Sequence, residues 1–201
     1  MGNRMPSLTF HPLTPGRWPD VEKLFGKRGA CGGCWCMFWR QTHAQHEVSK
    51  GARNRRAFRK LVGAGKQPGV LAYANGEPVG WCALAPRAQY VRLETSRVLA
   101  PVDAQPVWSV VCFFIAREWR NRGLSVKLLR AAADFARRRG ATIVEGYPVE
   151  VRKGRMPDTF AYTGLPGSFL GAGFREVARR SPVRPIMRKA VARVPARRGR
   201  G

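Results

Sequence analysis

One short segment of the 201-residue chain has the composition of a phosphate-binding turn. It runs from Arg120 to Ser125 and reads Arg-Asn-Arg-Gly-Leu-Ser. A glycine at the start of a helix lets an anion approach the exposed N–H groups, and the helix dipole favours negative charge there. Arg117, Arg120 and Arg122 would add positive charge. Because the spacing is too short for a dinucleotide fingerprint and lacks a P-loop lysine, the segment predicts only a turn for a phosphorylated ligand.

A block rich in cysteine and aromatic residues follows the first predicted helix. Its possible zinc ligands are Cys31, Cys34, Cys36, His43 and His46. The two histidines are closer together than in most zinc sites, and Trp35 between two cysteines is better suited to packing. We therefore expect no metal here and interpret the block as structural thiols in a pocket wall. Zinc binding and redox or covalent chemistry are the alternatives.

Periodicity predicts the elements that would position the turn. Residues 107–115 are apolar throughout and rich in β-branched and aromatic types, which favours a strand buried on both faces. An apolar stripe then continues from Leu124 to Arg139, where Gly140 ends the helix, and residues 141–147 read as the next strand. A strand, a helix and a strand in this order form a βαβ unit with parallel strands.

The other predicted elements flank this unit. A short helix runs from Trp18 to about Lys27, a second presents Phe58 on its apolar face, and a hairpin turns at Asn75-Gly76. After the βαβ unit we expect a helix over 166–172, strands over 174–178 and 185–191, and a basic, disordered tail. The predicted organisation is one domain over residues 1–188 and a tail over 189–201.

Composition excludes several classes of protein. The 44% share of hydrophobic residues fits a globular domain, and the longest uncharged apolar run, Val107–Ala116, is about half the length of a membrane span. Residues 1–11 show no apolar leader segment, and the odd number of cysteines argues against a disulfide framework. We therefore expect a cytoplasmic protein that makes no membrane contact.

The net charge of +25 raises a second possible function. Clustered Lys and Arg bind nucleic acids by releasing counterions from the phosphate backbone. Most of the basic residues are arginines spread along the whole chain, which is also typical of a solvated surface. Nucleic-acid binding through a basic surface is therefore the alternative function.

The order of elements and the turn motif together resemble the GNAT superfamily of acyl-CoA-dependent N-acyltransferases. The family pattern is Arg or Gln, two residues, Gly, one residue, then Gly or Ala; Arg120 and Gly123 match it, and Ser125 replaces the last small residue. The helix that runs into Gly173-Phe174 also fits. The resemblance covers about residues 8–188.

Two further segments are similar to one bacterial GNAT subgroup. They are the Cys-Gly-Gly-Cys-Trp-Cys block at 31–36 and the Val-Glu-Gly-Tyr-Pro strand end at 144–148. The resemblance implies an α/β (α+β layered) fold: one GNAT-like domain with a central mixed, mostly antiparallel sheet and a parallel βαβ cofactor-binding unit. The implied activity is direct transfer of an acetyl group from acetyl-CoA to an amine.

The resemblance also implies where acetyl-CoA would bind. Its pyrophosphate would rest on the N–H groups of the turn, and the pantetheine arm would pair with the backbone of Phe113 and Ile115. The turn residues expected to contact the pyrophosphate are Arg122, Gly123, Leu124, Ser125 and Val126.

Catalytic residues are harder to assign. Many family members place a general-acid tyrosine where this chain has Phe169, so Ser168, Tyr147 and Tyr162 are the candidate acids. The first candidate base is Glu145, with Glu150 and Asp158 as alternatives. Two other readings stay open: Glu145 pairs with one of the many arginines, or positioning alone carries the reaction.

In the family fold, the loop after the first helix overhangs the acceptor side of the cleft. The residues expected to line an acceptor pocket are Cys34, Trp35, Cys36, Phe38, Trp39 and Trp81, with Cys82 as a neighbour. An aromatic wall suits an apolar or planar acceptor, or a cation held against the rings. The acceptor would be a small-molecule or macromolecular amine, and the protein would be a monomer or homodimer.

Overall fold

A computed structural model describes residues 7–151 and 161–191 and shows one seven-stranded sheet. The strands are β1 (Leu8–Pro12), β2 (Gly69–Ala74), β3 (Glu77–Pro86), β4 (Trp108–Ile115), β5 (Ile143–Gly146), β6 (Arg175–Arg179) and β7 (Pro185–Ala190). Their order across the sheet is β1-β2-β3-β4-β5-β7-β6. Only β4 and β5 pair in parallel, and every other neighbouring pair is antiparallel. The predicted mixed sheet with a parallel βαβ unit is confirmed.

Helices cover both faces of the sheet. They are α1 (Trp18–Phe25), α2 (His43–Ser49), α3 (Ala52–Gly63), α4 (Val91–Glu94), α5 (Leu124–Arg138) and α6 (Pro166–Gly171). α5 and α6 pack on one face, and α1, α3 and α4 pack on the other with the cysteine-rich loop. Among the described residues, no helix is long and apolar enough to span a membrane.

The strongest sequence patterns produced the expected elements. The stripe of α5 buries Leu128, Ala132 and Ala136 against the sheet, as its period predicts. The hairpin between β2 and β3 turns at Asn75 and Gly76, whose φ angles are 49° and 83°. Positive φ at both positions is what a two-residue hairpin turn requires.

Weaker patterns gave wrong boundaries or no prediction. β5 spans four residues instead of seven, because β4 and the chain after Gly146 separate. The last strand ends at Ala190, one residue before the predicted end, and the domain boundary at residue 188 stays a prediction. The rest of the predicted tail, residues 192–201, lies outside the described residues. The sequence did not predict β1 or α2, which are short; α2 is largely polar and begins with a capping box formed by Thr42 and Gln45.

Candidate active site

The turn before α5 has the geometry expected of an anion site. Gly123 precedes the helix with φ of 72°, and a Cβ at this position would meet no atom within 4 Å. The N–H groups of Leu124, Ser125 and Val126 have no acceptor within the helix, because they belong to its first turn. The Leu124 side chain is buried in the core and fixes the helix start against the sheet. These N–H groups could therefore hold a phosphate group.

The neighbouring arginines give the turn positive charge. Arg117 and Arg122 are exposed, and the Arg122 guanidinium lies 5.9 Å from the centre of the Trp119 ring. Arg120 donates from Nε to the Ile115 carbonyl at 3.1 Å, which ties the turn to the end of β4. A groove of about 580 Å³ opens beside these residues, between the end of β4, α1 and the β2–β3 turn.

β4 and β5 diverge close to this turn. Their pairing ends at Val110 and Gly146, and on the other side of β4 the register with β3 shifts so that Val111 has no partner. Such bulges re-aim side chains and are common next to active sites. Beyond the bulge, the alternation of an antiparallel pair turns the N–H groups of Phe113 and Ile115 away from β3 and toward the gap.

Part of the gap is filled by the chain itself. The Phe113 N–H donates to the Tyr162 carbonyl at 2.6 Å, and the Val149 N–H donates to the Gly164 carbonyl at 3.0 Å. The Phe113 backbone was expected to pair with pantetheine. For its N–H group this expectation is wrong in this structure, because the N–H already donates to the Tyr162 carbonyl. The expected pairing at Ile115 stays a prediction.

The segment that fills the gap is firmly packed. Thr163 is buried, and its hydroxyl accepts a hydrogen bond of 2.9 Å from Arg184. Gly164 has φ of 89°, and a Cβ there would lie 2.9 Å from the ring of Phe169. Phe169, which occupies the place of the family tyrosine, is itself fully buried. A hydroxyl at position 169 would therefore point into the core.

Glu145 lies in a buried charge network. Its carboxylate accepts from Nε of Arg188 at 2.6 Å and lies 3.4 Å from Nη1 of Arg87. Glu145 is fully buried, and the side chains of both arginines are about nine-tenths buried. Its oxygens are taken up by Arg188, Arg87 and the Tyr147 hydroxyl inside the core, so they are not open to a substrate amine. The geometry thus favours the pairing interpretation of Glu145 and speaks against its role as the general base.

Tyr147 belongs to the same network. Its hydroxyl donates to Glu145 at 2.6 Å and accepts from Arg87 Nη1 at 2.9 Å, and Ser109 Oγ lies 2.8 Å away. Burial, and then the charge of Glu145, raises the pKa of Tyr147 far above its usual value. A buried hydroxyl that is already bonded cannot reach a thiolate in the gap, so the geometry also speaks against Tyr147 as the acid.

The other catalytic candidates differ in position. The Ser168 hydroxyl lies 2.8 Å from the Ser125 hydroxyl, so it sits at the phosphate turn. Tyr162 is partly exposed at the gap between the diverging strands. Glu150 is ion-paired with Arg179, and Asp158 lies outside the described residues.

Most of the expected acceptor wall is core instead. Trp35, Cys36, Trp39 and Trp81 are buried, and Trp81 donates from its indole nitrogen to Cys36 Sγ at 2.9 Å. The prediction that these four residues line a pocket is wrong, because all four are buried. In the loop, Trp35 and Cys36 have positive φ angles, and both side chains turn inward.

A different set of side chains in this region is partly exposed. Cys34 and Phe38 are partly exposed, and the Phe38 ring lies 6.1 Å from the ring of Tyr162. That these two residues line an acceptor pocket stays a prediction. The partly exposed neighbours that the sequence did not indicate are Met37, Cys112 and Phe114. Strand alternation places Cys112 and Phe114 on the Phe38 face of β4, and that alternation could have predicted them.

Two thiols of this region, those of Cys34 and Cys112, have a raised pKa and are therefore protonated at neutral pH. Burial raises the pKa of Cys34 to about 11, and a hydrogen bond with Cys36 followed by burial raises the pKa of Cys112 well above its usual value. Thiolates are the reactive and metal-binding form, so neither cysteine is prepared for covalent chemistry at neutral pH. Within residues 7–151 and 161–191, no group of three or more potential ligands is placed to hold a metal ion.

Comparison with known protein families decides what this arrangement is. The model of the Acetyltransferase (GNAT) family matches residues 35–152, which is more than half of the chain and includes the β4 strand, the turn and α5. The chain belongs to the GNAT acetyltransferase family. No curated protein matches the chain.

Solved GNAT structures share the fold at low sequence identity. A GNAT acetyltransferase from Streptococcus agalactiae is 12% identical with a TM-score of 0.56, and the match covers 94% of this chain and 98% of that one. The aminoglycoside N-acetyltransferase AAC(6')-Iy, solved with CoA, is 15% identical with a TM-score of 0.53, over 90% of this chain and 96% of that one. The PaiA N-acetyltransferase from Thermoplasma acidophilum, also solved with coenzyme A, is 12% identical with a TM-score of 0.50, over 92% and 99%. The comparisons give no support to nucleic-acid binding as the alternative function.

Proposed function

We propose that this GNAT protein transfers an acetyl group directly from acetyl-CoA to an amine. The observation that carries the proposal is the position of the α5 turn, which opens beside the gap between β4 and the chain after β5. A phosphorylated cofactor anchored at the turn could extend its acyl arm into the gap. Open α/β sheets bind ligands at such carboxyl ends of diverging strands.

The cofactor would use several backbone groups. The pyrophosphate would accept from the N–H groups of residues 123–126, with Arg117 and Arg122 near its charge. The N–H of Ile115 would pair with the pantetheine arm. The thioester would then lie close to Tyr162 and Cys112, at the partly exposed end of the gap.

Tyr162 is our candidate for the acid that protonates the departing CoA thiolate. It is partly exposed, its backbone contacts β4, and its ring contacts Phe38. Burial raises the pKa of the Tyr162 hydroxyl, while the charges of Arg184 and Arg92 oppose that shift. Because the raised pKa keeps the hydroxyl protonated in alkaline solution, Tyr162 can donate a proton at a pH where many amines are deprotonated.

We assign no general base to this site. Glu145 and Glu150 are engaged by arginines, so the amine would attack in its free-base form. The rate should then rise with pH until the acceptor amine is fully deprotonated.

Replacement of Tyr162 by phenylalanine tests the acid. We expect kcat to fall by about tenfold to a hundredfold, because the departing thiolate loses its proton donor, while the affinity for acetyl-CoA changes little. The measurement is release of free CoA thiol with the best substrate of an amine panel. Ser168→Ala is the matched control and should keep most of the wild-type kcat. Equal kcat in wild type and Tyr162→Phe would remove Tyr162 from the mechanism.

A further inference from the structure

Two arginines of this region, Arg92 and Arg40, each have one guanidinium nitrogen without a hydrogen-bond acceptor among the described residues. Arg92 lies over the Phe38 ring, with 3.9 Å between its guanidinium carbon and the ring centre, and its Nε donates to the Gln41 carbonyl at 3.1 Å. Arg40 lies 4.8 Å over the ring of Tyr90 and donates from Nη1 to Gln89 at 3.0 Å. The Nη2 atom of each is shielded from solvent and has no hydrogen-bond partner among the described residues.

The charge around these atoms is not neutralised. In the described part of the chain, no carboxylate forms an ion pair with Arg40, Arg92 or the nearby Arg184. The closest acidic residues along the chain are already engaged, since Glu94 pairs with Arg87 and Glu47 pairs with Lys50. A shielded guanidinium nitrogen without an acceptor is costly, and an anion supplied by a ligand would offset that cost.

The arginines are connected to the proposed reaction site through one row of side chains. Arg92 stacks on Phe38, Phe38 contacts Tyr162, and Tyr162 binds β4 where the thioester would lie. The aromatic residues had suggested that a cationic acceptor could lie against a ring face. Arg92 already occupies one face of the Phe38 ring, so that face is not available to such an acceptor. The surroundings favour negative charge instead.

We propose that the acceptor is an amine that carries a carboxylate near its amino group, with the carboxylate bound by Arg92 and Arg40. This inference rests on the proposed function and names its substrate class. Guanidinium N–H groups form strong, charge-assisted hydrogen bonds with carboxylates, and the apolar surface of Phe38, Met37 and Phe114 would contact the rest of the acceptor. Polycationic amines would be poor acceptors.

The test compares L-phenylalanine with L-phenylalaninamide, which differ in the carboxylate. In wild type we expect kcat/KM for phenylalanine to be at least about tenfold higher than kcat/KM for phenylalaninamide. This preference would hold although the amide has the more easily deprotonated amine. Arg92→Met keeps the aliphatic stem on Phe38 and should bring the ratio close to one; Arg40→Met is a second variant with the same expectation. Arg59→Gln, on the exposed face of α3, is the charge-matched control and should leave the ratio unchanged. O-phosphoethanolamine against ethanolamine shows whether a phosphate replaces the carboxylate.

The outcomes separate this inference from the proposed function. Equal use of acid and amide, or a ratio that survives in both arginine variants, would overturn the carboxylate site while leaving an N-acyltransferase. A preference for the phosphorylated amine over phenylalanine would overturn the carboxylate as the bound group. If no amine stimulates thiol release, the proposed function itself fails and the inference with it.

Discussion

Replacement of Glu145 by glutamine is expected to lower the free energy of unfolding by about 3–5 kcal/mol. In the described part of the chain, Glu145 is the fully buried carboxylate that contacts both Arg87 and Arg188. Without it, each guanidinium group remains in the interior with only a solvent-facing carboxylate, Glu94 or Asp103. Denaturant unfolding followed by tryptophan fluorescence measures the loss directly. The cost arises because two buried positive charges lose the buried carboxylate that they share.

Asp103→Asn is the matched control for this prediction. Asp103 also accepts from Arg188, at 2.6 Å, but its side chain reaches solvent, so its removal should cost much less. If Glu145 were instead the general base, the Glu145→Gln variant would be as stable as the Asp103→Asn variant but would lose activity at every pH. Such a result would restore the catalytic role that the network argues against.

Replacement of Gly123 by glutamate should reduce the affinity for acetyl-CoA by about a hundredfold or more, because it places a carboxylate beside the expected pyrophosphate. The space around the Gly123 Cβ position is open, so the side chain would not disturb the fold by collision. The positive φ of 72° adds some strain with any side chain. Calorimetric titration with acetyl-CoA measures the effect.

Gly123→Asn separates charge from backbone strain. Asparagine adopts positive φ more readily than most residues and carries no charge, so we expect a smaller loss of affinity. Thermal unfolding of both variants shows whether the fold is retained. An acetyl-CoA affinity in Gly123→Glu that equals that of Gly123→Asn would mean that the cofactor phosphates bind elsewhere.

The parts of the fold with strong local signals could be predicted from the sequence. The βαβ unit follows from a buried nine-residue apolar run, an amphipathic stripe and a second apolar run, each with its own period. The phosphate turn follows from Gly123 and its neighbours, since the helix start needs a residue that tolerates positive φ. These features depend on residues that are close together in the chain.

The errors concern contacts that are distant in the chain. For Glu145, the choice between base and arginine partner stayed open because Arg87 and Arg188, which are 58 and 43 residues away, meet it only in the folded sheet. Trp35 and Trp81 looked like pocket residues because their inward orientation depends on the loop conformation at 35–36 and on strand alternation in β3. The carbonyl of Tyr162 at Phe113 could not be foreseen, since it depends on the chain returning to β4 after β5.

Hydrogen–deuterium exchange with and without acetyl-CoA shows whether the cofactor binds at the α5 turn, because it locates the protected backbone N–H groups. We expect slower exchange at the N–H groups of residues 123–126 and at Ile115, with no change along the groove between β1 and α5 that contains Phe10 and Arg130. Slower exchange confined to that groove, or no change anywhere on addition of saturating acetyl-CoA, would contradict this expectation.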